Sequence, residues 1–203
     1  VADSPEEESG EGPSYVAQRA LAFLKQGKVG NLLELGAGQG RDSLFFARHG
    51  LAVTCVDYSE EGLRAVHDRA LREGIAGRFV TVLHDLRRPL PFAASSMDAC
   101  YSHMLYCMDF TTAQLKVLSA EIRRVLKPGG INVFTARHTG DPHFGMGTSH
   151  GDGRFETGGY IVHFLGRDEI KDLDSGFDTI EIEEFEEGDL PRKLFLVVQK
   201  KIF

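Results

Sequence analysis

Short apolar, β-branched runs alternate with longer amphipathic segments through the first two thirds of this chain, and that rhythm limits the folds open to it. Residues 31–35, 52–57, 79–83, 98–105 and 131–136 read as strands. Between them, residues 42–49, 59–73 and 112–126 carry apolar positions at helical spacing. Ser59 stands where a cap belongs, and Pro128-Gly129-Gly130 stops the third helix. Strands separated by helices of this length form right-handed βαβ units, so the pattern predicts an α/β fold with a parallel sheet covered on both faces. A further helix from Ser14 to Gly27 is expected to pack against the sheet edge. After residue 137 the rhythm breaks: residues 137–159 hold seven glycines and three histidines without periodicity, long for a connection and therefore mobile or functional. A short helix follows at 167–174. Two strands, 179–185 and 194–200, are then expected to form an antiparallel hairpin at the sheet edge.

With 203 residues, 42% of them hydrophobic, the chain fills one core, and residues 14–203 are read as a single domain. Residues 1–13 carry five acids and little to bury, and read as a flexible acidic leader. The net charge of -7 works against nucleic-acid binding, which calls for a clustered basic face. No apolar run approaches the length of about 20 residues needed to cross a membrane. Three cysteines, two of them inside apolar runs, suit a reducing cytoplasm.

The chemistry centres on Glu34-Leu35-Gly36-Ala37-Gly38-Gln39-Gly40, a glycine turn between a strand and a helix. Such a turn brings backbone N–H groups against a ligand. A dinucleotide fingerprint wants its third glycine where this chain has Arg41. Glu34 at the strand tip suits an ammonium group better than a pyrophosphate. Asp57 ends the next strand, where a carboxylate accepts from both ribose hydroxyls of either cofactor.

Together with His84-Asp85-Leu86, Leu90-Pro91-Phe92 before Met97-Asp98-Ala99, and Leu126-Lys127-Pro128-Gly129-Gly130, these motifs resemble the class I S-adenosylmethionine (SAM) dependent methyltransferases from about Val16 to Lys200. The resemblance implies a Rossmann-like, doubly wound sheet of seven strands, mostly parallel with an antiparallel terminal strand. It implies that Glu34 and the backbone of Gly36, Ala37 and Gly38, with Gly40 closing the turn, hold the methionine moiety of SAM, Asp57 its ribose, and Tyr58 one face of adenine. Asp85 would accept from the adenine amino group, the Leu86 N–H would meet the ring, and Ser102 and His103 would line the floor beneath the sulfonium.

On the acceptor side, His103 is the candidate general base. A soft acceptor would need none. Ser102-His103-Met104-Leu105 lacks the Asn/Asp-Pro-Pro-Tyr/Phe signature of amide-nitrogen methylation. The segment 137–160 reads as a lid or insertion, with Arg137, His138 and His143 facing an acceptor pocket. The spacing of His138, His143, His150 and His163 matches no compact metal set, and no metal is expected. Arg192 would grip a carboxylate or oxyanion. Size and a Gly-x-Leu-x-Arg stretch are loosely similar to the tellurite-resistance methyltransferases. The expected activity is methyl transfer to a small molecule, by a monomer or homodimer. Two alternatives stay open: an NAD(P)-dependent oxidoreductase on a related fold, and a SAM-binding module without catalysis.

Overall fold

The computed structural model describes residues 12–173, 175–188 and 192–203. Most of the acidic leader, the end of the helix read at 167–174 and the turn at 189–191 lie outside the described residues. Seven strands form the central sheet: β1 (Asn31–Leu35), β2 (Ala52–Asp57), β3 (Phe79–Leu83), β4 (Met97–Ser102), β5 (Leu126–His138), β9 (Phe177–Glu187) and β10 (Arg192–Lys201). Their order is β3-β2-β1-β4-β5-β10-β9. Pairs from β3 through β5 are parallel, and β10 is inserted antiparallel to both neighbours. This is the seven-stranded, mostly parallel sheet expected from the resemblance.

Helices cover both faces. On one, α1 (Tyr15–Gln26), α2 (Arg41–Arg48) and α3 (Glu60–Arg72) bury Val16, Leu24, Phe46 and Val66 against Leu32, Val53, Val133 and Leu196. On the other, α4 (Thr112–Val125) and α5 (Arg167–Asp172) bury Leu115, Ile122 and Ile170 against Leu33, Phe134 and Val197. α1 contributes five buried side chains to the core on the first face, and it also reaches the edge strand β9, as expected, where Tyr15 donates to Glu183 and Arg19 pairs with Glu181 and Glu183. Ser14 and Ser59 cap α1 and α3, each hydroxyl accepting the amide three residues on.

Two boundaries differ. β4 ends at Ser102 and not at 105, since Met104 has φ 60° and such a backbone cannot continue a strand. The segment after residue 137 is not structureless: β6 (Thr148–Gly151), β7 (Arg154–Thr157) and β8 (Tyr160–Leu165) form an antiparallel meander. β8 joins the main sheet by pairing Phe164 and Leu165 in parallel with Arg137 and His138. The extra layer therefore grows from the C-terminal end of β5, the end of a doubly wound sheet where ligands bind.

Candidate active site

The turn after β1 is built from glycines for backbone reasons. Gly36, Gly38 and Gly40 have φ of 73°, 53° and 80°, conformations side chains disfavour. A Cβ on Gly40 would meet Val66 at 2.7 Å, whereas one on Gly38 would point into open space. Ala37 is buried, and its amide and that of Gly36 both donate to the Val56 carbonyl. The bend is thus held closed while Gly38 faces outward. Asp57 fastens it: Oδ2 accepts from the Gly38 amide and Oδ1 from the Ser59 amide, each at 2.8 Å.

Glu34 is only 4% exposed, and its Oε2 accepts from the Ser43 hydroxyl at 2.5 Å. Burial, with the neighbouring charge of Asp42, pushes its carboxyl up to about 8. Among the described residues it has no ion pair, so the site holds a buried acid that a bound cation would ionise. Tyr58, beside Asp57, is 77% exposed and presents an open ring face. Asp85 is partly exposed, accepting the Arg87 amide at 3.0 Å through Oδ1. Leu86 is buried in the core. At the end of β4, Ser102 is 1% exposed and its hydroxyl has no partner among the described residues.

His103, its side chain 8% exposed, sits in a clamp that the sequence did not reveal. Nδ1 lies 3.0 Å from the Thr135 hydroxyl, and Nε2 lies 3.2 Å from Glu187 at the end of β9. Thr135 Oγ1 also accepts the Met104 amide. Burial would raise Glu187, but the bond from His103 and the charges of His103, Arg41 and Arg192 hold it below the usual carboxylate range. An ionised carboxylate accepts only, so Nε2 carries the proton. Both ring nitrogens are therefore engaged, and His103 has none open to an acceptor.

The remaining acceptor-side residues separate. Arg137 is spent on a buried fork to Asp141, at 3.0 and 2.7 Å, with its guanidinium stacked over Phe164. His143 joins that pair through Nδ1. Asp141 also accepts the amides of His143 and Lys193. Burial alone would raise this carboxyl; Arg137 and the two amides hold it low. His138 accepts the Gly140 amide and packs on Phe195; burial lowers its affinity for a proton. Arg192 stands opposite Glu187 in the β9–β10 register. Thr135, Asp141 and Glu187 were missed; an acid four residues after Arg137 was the available signal for Asp141.

These features fit SAM: a buried acid for its ammonium, an open glycine turn, a fixed carboxylate with lone pairs left for ribose hydroxyls, and an exposed ring beside them. Residues 32–130 match the methyltransferase domain family. An uncharacterized chloroplastic methyltransferase of Arabidopsis thaliana is 35% identical over 130 residues, 61% of this chain and 35% of that protein. The chain thus spans about a third of that relative's length. A SAM-dependent methyltransferase from Methanosarcina mazei has a similar fold, with a TM-score of 0.72 at 22% identity, covering 85% of this chain and 92% of that one. So does the 1,6-didemethyltoxoflavin-N1-methyltransferase of Burkholderia thailandensis, whose structure holds S-adenosylhomocysteine: TM-score 0.73, 19% identity, 93% and 79% covered. The matched methyltransferase domain and the fold shared with these structures agree with the resemblance read from the motifs.

Proposed function

We propose that this chain, as one domain over residues 14–203, transfers a methyl group from SAM to a small-molecule acceptor by in-line displacement. The observation that carries this reading is the joining of the glycine turn to Asp57 beside the unpaired, buried Glu34. Glu34 and the backbone from Gly36 to Gly40 would hold the methionine end, and Asp57 the ribose. Tyr58, Asp85 and the Leu86 amide would hold the adenine, with Ser102 and His103 on the floor. When bound, SAM supplies a methyl group already activated on a sulfonium. The protein's part is alignment and exclusion of water.

The clamped imidazole of His103 favours an acceptor that needs no strong base, such as a thiolate or an oxyanion. If His103 does accept a proton, it must first give up Thr135 or Glu187. The net charge of -7 favours a small acceptor over a nucleic acid. Cys55, Cys100 and Cys107 are buried, which suits a reducing compartment such as the cytoplasm. The segment 137–160 roofs the acceptor side, with Arg137, His143 and Asp141 bracing it and Arg192 at its rim.

Labelled-methyl transfer from SAM to a panel of thiols, metalloid oxyanions, phenols and carboxylates tests the proposal. Turnover of at least one class, lost in Asp57→Ala, supports it. Silence across the panel despite tight SAM binding favours the non-catalytic module.

A further inference from the structure

The β7–β8 ribbon is amphipathic with its polar face turned inward. Side chains alternate across a strand, and the register sets Arg154 opposite His163, Phe155 opposite Val162, Glu156 opposite Ile161 and Thr157 opposite Tyr160. One face therefore carries Arg154, Glu156, Ile161 and His163. That face is tied to the body of the protein: Arg154 pairs with Asp109, and His163 is buried. The other face carries Phe155, Thr157, Tyr160, Val162 and Phe164. Phe164 is buried, Phe155 and Val162 are half-buried, and Tyr160 is 48% exposed. Phe144 adds a third ring, edge to face with Phe155 and Phe164 at 5.3 and 5.6 Å, and stays 40% exposed. A contiguous apolar face left open while charged groups turn inward marks a binding surface.

Its position identifies the occupant. The Arg137 guanidinium lies over Phe164, 5.0 Å from the ring centroid. Arg137 and Thr135 are two residues apart on β5 and share a face, and Thr135 Oγ1 lies 3.0 Å from His103 Nδ1. The open face is thus on the same side of the sheet as His103. The ribbon is also anchored in the loop after β4, where the His163 amide donates to the Cys107 carbonyl. An apolar wall of rings without a charged group, continuous with the floor at His103, suits the flat apolar part of a small ligand.

We propose that the acceptor carries an aromatic body, which lies on Phe144, Phe155 and Tyr160 while its nucleophilic atom reaches the floor at His103. The assignment deepens the small-molecule reading above and rests on it. The rival occupant of this face is a second copy of the chain.

Calorimetric titration of the S-adenosylhomocysteine complex with 2-naphthol and with its saturated counterpart, decahydro-2-naphthol, tests the assignment without turnover. The wild type should bind the aromatic probe about 3- to 10-fold more tightly than the saturated one, the worth of ring-to-ring contact. Phe155→Ala should weaken 2-naphthol about 10-fold through lost apolar contact, while Phe155→Tyr, which keeps the ring, should recover most of that loss. Unchanged S-adenosylhomocysteine affinity shows that each variant is folded. The assignment is overturned if the wild-type complex does not bind 2-naphthol, if it binds both probes equally, or if Phe155→Ala binds 2-naphthol as well as wild type does. A wild-type dimer that Phe155→Ala turns into a monomer in sedimentation overturns it in favour of the second copy. Failure of the wild type to bind S-adenosylhomocysteine at all overturns the SAM reading with it.

Discussion

The Gly38 amide donates to Oδ2 of Asp57 over 2.8 Å, so the turn after β1 and the acid ending β2 form one hydrogen-bonded unit. α3 presses on this unit from below. A Cβ on Gly62 would lie 2.7 Å from the Gly38 carbonyl oxygen, a contact with backbone that no rotamer relieves. Gly62→Ala should therefore cost about 1–3 kcal/mol of stability and weaken S-adenosylhomocysteine binding. Thermal melts and calorimetry check both. An alanine variant with unchanged affinity would separate α3 packing from the site.

The raised carboxyl of Glu34 makes binding pH-dependent. In the free protein it is protonated below about 8, whereas a bound ammonium favours the ionised form. Affinity should rise with pH up to that value, with a proton released on binding at pH 7. Titrations in buffers of different ionisation enthalpy measure the release. Folding linkage runs the other way: the folded carboxyl lies above its unfolded value of 4.5, so its contribution to stability is full below 4.5 and lost as pH rises through about 8. Glu34→Gln should thus bind poorly yet gain stability relative to wild type above pH 8.

Glu187 behaves oppositely, because its folded carboxyl is held below the ordinary value of 4.5. The stability it contributes is present above that value and lost as pH falls through the lowered one. Glu187→Gln should cost about 1 kcal/mol at pH 7, with the difference closing in acid. Urea melts at pH 7 and in the acid range provide the comparison, and a constant difference would remove the ionic part of the His103 clamp.

The meander is fastened to the start of α4 and to the loop before it. Asp152 accepts the amide and hydroxyl of Thr112 at 2.6 and 2.7 Å, and Arg154 pairs with Asp109 at 2.9 Å. Asp152→Ala should speed amide exchange across residues 148–163 while leaving cofactor affinity unchanged. Hydrogen exchange read by mass spectrometry resolves the segment. Unchanged exchange would show that the remaining contacts hold it.

What could be read from the chain was local. β1, β2 and β3 begin and end where the apolar runs do, and the caps at Ser14 and Ser59 act within three residues. The meander was not legible because its strands are short and only the end of β8 enters the core, and it is held by partners such as Thr112 and Asp109. The partnership of His103 with Glu187 depends on where β9 falls beside β10, which no local pattern encodes. Arg137 looked available until the turn at Asp141 closed on it. The glycine turn and the two strand-end acids, Glu34 and Asp57, were legible because their spacing is local.

The most direct test of the account is calorimetric titration of wild type and Asp57→Ala with S-adenosylhomocysteine and, in parallel, with NAD and NADP. The account predicts one S-adenosylhomocysteine site per chain, weakened about 10- to 100-fold in the variant through loss of charged hydrogen bonds, and no binding of either dinucleotide. Binding of a dinucleotide alone, or equal affinity of wild type and variant for S-adenosylhomocysteine, would contradict it.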